Sequence, residues 1–226
     1  ASATAAMSGK GVLALGQGPA LDENGLSEAW ADLGASFGAS ASADRLSFGL
    51  RTLTYPDLLD KSVALAAQQL ARPSWPADIW ATERARWQAA IKESQTRPAT
   101  RASQAYSAAV YGQHPYGYEV TEDTLKRIEV ADMQAFYARS VLPCRARISL
   151  VGAINRSQAD ALVSRLMQPL QTSVCAALPA VPQVLPLTQA ATLNLPFDSA
   201  QAHVLIGQPG IARSVPDFFA MLVGNY

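Results

Sequence analysis

Histidine is almost missing from this chain: only His114 and His203 occur in 226 residues, and nothing before position 114 carries an imidazole. Metal chemistry built on paired histidines therefore has no foothold in the first half. Cysteine is as scarce. Cys144 and Cys175 stand alone without a CxxC spacing, so neither structural zinc nor a disulfide framework is expected, and both read as unpaired small apolar residues. Charged residues make up 16% of the chain against about 25% in typical domains, which points to a surface covered by more protein. Lys plus Arg and Asp plus Glu number 18 each, with no long run of one sign. A nucleic-acid partner or an anionic membrane thus finds no electrostatic footprint. No apolar stretch nears the roughly 20 residues of a membrane span. The glycines at 9, 11, 16 and 18 lack the spacings that cradle phosphate.

What is present is patterned. Residues 1–7 favour a helix, and 8–24 form a Gly-rich loop that nothing periodic organises. Leu26, Ala29, Trp30 and Leu33 recur at helical spacing, with Gly34 as the stop. Residues 35–42 and 46–54 alternate around Ala43 and Asp44, predicting a β-hairpin. Pro56 opens a helix carrying Leu59, Val63, Ala66 and Leu70, which ends before Pro73. Two further helices follow, one burying Trp80, Trp87 and Ile91, the other Tyr106 and Val110. HPYG at 114–117 turns the chain, two short helices cover 125–137, residues 146–152 predict a strand, and Asn155 caps a helix reaching Met167. Four prolines between 168 and 189 mark a connector. Beyond it, 191–195 and 202–206 predict strands, and Pro216 opens an apolar helix still running at Tyr226. The chain starts mid-pattern at Ala1, as an excised piece would.

This order resembles the first domain of the pitrilysin and insulinase type of metallopeptidase. The resemblance rests on ADLGASFGASASADRLSFGL (31–50), ATERARWQAAIKES (81–94), YGQHPYGYEVTEDTLKRI (111–128) and VADMQAFYARSVLPCRARISLVG (130–152). It extends to about Leu166, and residues 193–226 resemble the start of the family's second, similar domain. The implied fold is α+β, a two-layer antiparallel sheet covered by helices. The implied domains are 1–167, a connector at 168–189 and a truncated second unit at 190–226.

Active relatives carry HxxEH on the first helix, two histidines holding zinc and a glutamate deprotonating its water. Aligning Met7, Lys10 and Gly11 with the family's downstream Met, Lys and Gly places Ser2, Ala5 and Ala6 at those positions. The third ligand would follow a Glu-Arg pair by seven residues. With Glu83 and Arg84 as that pair, it falls on Ala90. No metal ligand and no catalytic residue is therefore expected, and Glu93, one turn further on, is a poor substitute. His114 reads as a turn residue and His203 as a partly buried strand residue. Neither a Ser-His-Asp arrangement nor a reactive thiol is expected.

The resemblance also implies what remains. In active relatives the strand matching 35–42 takes substrate as an added strand through backbone groups. Gly38, Ala39, Ser40, Ala41 and Ser42 are the corresponding peptide-binding edge here. The expectation is a non-catalytic homologue, without zinc, that forms chamber wall or a peptide surface. Its partner would be an active zinc peptidase of the family or a second copy, and its location periplasmic. Two other readings are a portion of an active zinc endopeptidase whose metal site lies outside this chain, and a structural module unrelated to proteolysis.

Overall fold

A computed structural model describes residues 1–170 and 174–224. Two compact units divide the chain: residues 1–87 with 123–178, and residues 88–122 with 179–226.

The first unit opens with α1 (Ser2–Met7), an Ala-rich turn and a half whose Ala3, Thr4, Ala5 and Met7 are buried, Met7 completely. Two short strands, β1 (Gly11–Val12) and β2 (Leu21–Asp22), pair antiparallel within the stretch expected to be loop. Asp22 then caps α2 (Glu23–Asp32), its carboxylate accepting from the Gly25 amide at 2.8 Å. Gly34 ends that helix with φ of 57°, a left-handed value that costs glycine least.

The hairpin follows as expected. β3 (Ser36–Ala41) and β4 (Leu46–Arg51) pair antiparallel with Phe37 opposite Leu50 and Ala39 opposite Phe48. Phe37, Ala39, Ala41, Leu46, Phe48 and Leu50 are half-buried, and the alternate residues are exposed. One face of the hairpin therefore meets helices while the other is bare. α3 (Pro56–Ala71) starts on its proline and buries Val63, Ala66 and Leu70. It joins Val12, Leu26 and Trp30 in the core, with Phe37, Leu50 and Leu166 packed around them. Each such side chain contributes roughly 1.5–3 kcal/mol on burial.

α4 (Ala77–Ser94) carries buried Trp80 and Glu83. α5 (Pro98–Tyr111) lies in the second unit and stops at Gly112, φ 55°. A 3-10 turn, Pro115–Gly117, is capped by His114. α6 (Glu122–Lys126) and α7 (Val130–Ser140) return to the first unit, α7 with a Glu129–Asp132 capping box. α8 (Arg156–Met167) is capped by Asn155, whose side chain accepts from the Gln158 amide while the Gln158 side chain accepts from the Asn155 amide. In the second unit, α9 (Phe218–Gly224) is the last element. The fold is α+β, antiparallel strand pairs with helices.

Three expected strands do not form. Residues 146–152, 191–195 and 202–206 form no strand and have no ladder partners among the described residues. Alternating apolar residues make a segment competent for a sheet, but a strand exists only where a neighbour supplies the other half of the ladder. β3 and β4 satisfy only each other, so Ile148, Leu150 and Val151 remain exposed. His203, expected in a half-buried strand, is exposed and outside any element for the same reason. The cysteines differ as well. Cys144 and Cys175 form a disulfide with Cα atoms 6.2 Å apart, and among the described residues no cysteine is free.

Candidate functional site

Ser2, Ala5 and Ala6 all fall on α1. Ser2 is exposed, Ala6 half-buried and Ala5 buried. Residues 2 and 6 share one helical face at i, i+4, the geometry that places two ligands together. Here that face offers one hydroxyl and methyl groups. The carbonyl of Ala5 accepts from Ser8 Oγ at 2.8 Å.

The Glu83–Arg84 pair on α4 splits its attention. Glu83 lies 3.1 Å from Lys10 Nζ and also pairs with Arg86. Lys10 reaches Glu23 as well, at 2.6 Å, and this hydrogen bond is the largest influence keeping the ammonium charged. Burial acts most strongly on Glu83 and would raise its carboxyl. The Lys10 hydrogen bond and the charges of Lys10 and Arg86 together outweigh it, holding the group below its ordinary 4.5. Arg84 instead donates to the Ile128 carbonyl at 3.3 Å and to Glu129 at 3.0 Å, tying α4 to the turn before α7. Ala90, seven residues along α4, is exposed. So is Glu93, whose carboxylate is bound by Arg97 at 2.6 and 2.8 Å.

These residues do not fit zinc. A divalent cation needs nitrogen, sulfur or carboxylate donors, and the positions to which the family resemblance points, Ser2, Ala5, Ala6 and Ala90, supply none of them. Among the described residues no three His, Cys, Asp or Glu side chains gather in a metal-holding group. His114 is committed elsewhere: its Nδ1 accepts from the Tyr116 amide at 3.1 Å, which leaves Nε2 to donate to the Pro182 carbonyl at 2.7 Å. Residues 34–38 do spell GxSxG. They run from a helix end into a strand, however, the reverse of a nucleophile elbow, and Ser36 sits in the β3 ladder opposite Arg51.

The edge strand offers its backbone. The Ser42 amide donates to the Arg45 carbonyl at 2.8 Å, which fixes 42/45 as a hydrogen-bonded pair. Antiparallel alternation then turns the amides of Ser36, Gly38 and Ser40 toward β4, and those of Phe37, Ala39 and Ala41 outward. Of the five edge residues expected from sequence, Gly38 to Ala41 lie in β3 and Ser42 begins the turn. At the head of β3 a cleft of about 410 Å³ is lined by Leu26, Trp30, Ala31, Ala35, Ser36 and Phe37. Behind it Trp30 Nε1 donates to Gln69 Oε1 at 3.0 Å, a buried bond between α2 and α3 that no local pattern announces.

The crystal structure of the peptidase M16 inactive domain from Pseudomonas fluorescens shares this architecture, with TM-score 0.73 and 26% identity over 82% of this chain. The chain is similar to an inactive domain of the peptidase M16 family. It spans 43% of that M16 relative's length. A protease from Helicobacter pylori shares the fold at TM-score 0.63 and 19% identity, over 81% of this chain and 43% of that one. The periplasmic protease PqqL from Escherichia coli shares it at TM-score 0.61 and 21% identity, over 80% of this chain and 19% of the other. No protein-family model and no curated protein matches this chain by sequence.

Proposed function

We propose that this chain is part of a non-catalytic M16 homologue that supplies chamber wall and an extended-peptide surface beside an active zinc peptidase. One observation carries the reading: α1 offers no metal donor while β3 keeps the outward amides of Phe37, Ala39 and Ala41. Backbone recognition of an added strand needs no catalytic side chain. The likeness to an M16 inactive domain supports the same division of labour.

Residues 1–167 form the peptidase-like domain in this reading, 168–189 the connector, and 190–226 the opening of a second similar unit. The exposed apolar residues Val204, Ile206, Phe219 and Val223 favour that assignment, because an isolated domain seldom leaves so many uncovered. The compartment is the periplasm. The Cys144–Cys175 bridge favours an oxidising environment, and PqqL, which shares the fold, is a periplasmic protease.

The test is purification of the intact parent from its native cells, with zinc analysis and identification of co-purifying chains. A zinc-free parent accompanied by a zinc-loaded M16 peptidase is expected. Stoichiometric zinc in the parent alone would overturn the reading.

A further inference from the structure

Past the end of α3 the chain is laced onto β1. The Leu13 amide donates to the Arg72 carbonyl at 2.8 Å, and the Ser74 amide donates to the Gly11 carbonyl at 3.1 Å. Trp75 then turns the backbone through φ of 54°, in the left-handed region, the one residue other than glycine to do so among the described residues. A bulky side chain is seldom found there, and strain of this kind clusters at ligand clamps. The turn sets the indole edge-on to Tyr137 of α7, with ring centroids 5.3 Å apart. Between these elements lies a hollow of about 260 Å³. Leu13, Leu70, Pro73, Tyr137 and Val141 give it apolar walls, while Arg72 brings the only charge in its lining and Gln134 the only side-chain amide.

The polar groups left open at the hollow can all donate. Arg72 and Gln134 are exposed, and their side chains carry no hydrogen bond or ion pair among the described residues. The Tyr137 hydroxyl is spent on the Leu70 carbonyl. Trp75 is only 8% exposed and its indole has no partner. Arg145 Nε is the one fully covered side-chain nitrogen or oxygen left unpaired among the described residues, so solvent reaches Trp75 Nε1. No Asp or Glu lines the hollow. A guanidinium and an indole N–H without acceptors of their own suit an anion, best a carboxylate. The walls suit a hydrocarbon part. Its size is limited to about one residue, because the volume falls below the roughly 300–1,000 Å³ of pockets for drug-sized ligands.

We propose that this hollow binds the C-terminal residue of a polypeptide that ends in an apolar side chain. The side chain enters between Leu13, Tyr137 and Val141, the carboxylate pairs with Arg72, Trp75 Nε1 donates a second hydrogen bond, and Gln134 bonds the last peptide amide. That last contact separates a peptide from a fatty acid, which has no amide and whose tail outgrows the cavity. None of the lining belongs to β3, so the site stands or falls without the strand edge.

The full chain is titrated into a fluorescein-labelled hexapeptide ending in leucine with a free carboxylate, and anisotropy is followed. The controls are the same peptide amidated at its C-terminus and one ending in aspartate. The acid peptide should bind about tenfold tighter than either, the worth of one charge-assisted hydrogen bond. Arg72→Met should weaken the acid peptide about tenfold and leave the amidated one unchanged, a difference that a merely structural role would not produce. Ala138 is an exposed residue of the lining, and Ala138→Phe should fill the hollow and abolish binding while far-UV circular dichroism holds. Dodecanoate should not displace the peptide. Equal affinity for acid and amide, no binding of the acid peptide, wild-type affinity in Arg72→Met or Ala138→Phe, or displacement by dodecanoate would each overturn the assignment.

Discussion

Lys10 Nζ stands 3.1 Å from Oε1 of Glu83, joining the stretch after α1 to the middle of α4. The Glu83 side chain is only 12% exposed. Removing its charge strands part of a buried network, although Lys10 keeps Glu23. Glu83→Gln should therefore cost about 1–3 kcal/mol in urea unfolding. The folded-state carboxyl lies below its unfolded value of 4.5. Its contribution is thus fully present above that pH and lost as pH falls through the depressed folded value. Wild type and Glu83→Gln should converge in stability on acidification below pH 4.5, and an undiminished difference there would contradict the pairing.

Tyr137 makes a comparable link by a neutral group. Its hydroxyl donates to the Leu70 carbonyl at 2.8 Å, and burial pushes its ionisation well above the ordinary tyrosine range. Tyr137→Phe leaves that carbonyl unpaired and should cost roughly 1 kcal/mol. In an ultraviolet titration this tyrosine should ionise only with alkaline unfolding.

Proline discriminates the two edges of β3. At Ala39 it removes an outward donor and spares the ladder to β4. At Gly38 it breaks an inward bond, and proline within a sheet is tolerated only where its nitrogen faces away from a partner strand. Ala39→Pro should keep the fold and weaken an extended fluorescent peptide about five- to tenfold, the worth of one hydrogen bond. Gly38→Pro should lower the melting temperature instead. Equal peptide affinity for wild type and Ala39→Pro would place binding elsewhere.

Zinc affinity should respond to donors on α1. The chain as it stands should retain no zinc after dialysis, measured by atomic absorption. Ser2→His with Ala6→His puts two imidazoles on one helical face and should create measurable binding. An unchanged result would place residues 2 and 6 on different faces.

Local chemistry made much of this fold readable. The hairpin followed from its alternation, α3 from Pro56 and its apolar stripe, and α8 from Asn155. Each signal lies within a few residues of what it specifies. The failures are long-range. Residues 146–152 have a strand's pattern, but the pattern says nothing of whether a neighbour is there to pair with. Cys144 meets Cys175 across a separation of 31 through a stretch of no fixed period, and connectivity of that kind is invisible to spacing rules. At the site, matching Met7, Lys10 and Gly11 led to Ser2, Ala5 and Ala6, and the structure places all three on α1. The Lys10–Glu83 contact could not be read this way, because it depends on how α1 meets α4.

The amides that β3 turns outward recur every second residue, about 7 Å apart along an extended chain. Every polypeptide repeats at that interval regardless of which amino acids it contains. In the proposed role, a surface of this kind would measure how straight a visitor is and leave its spelling unread, so any preference among visitors would have to come from what borders the strand.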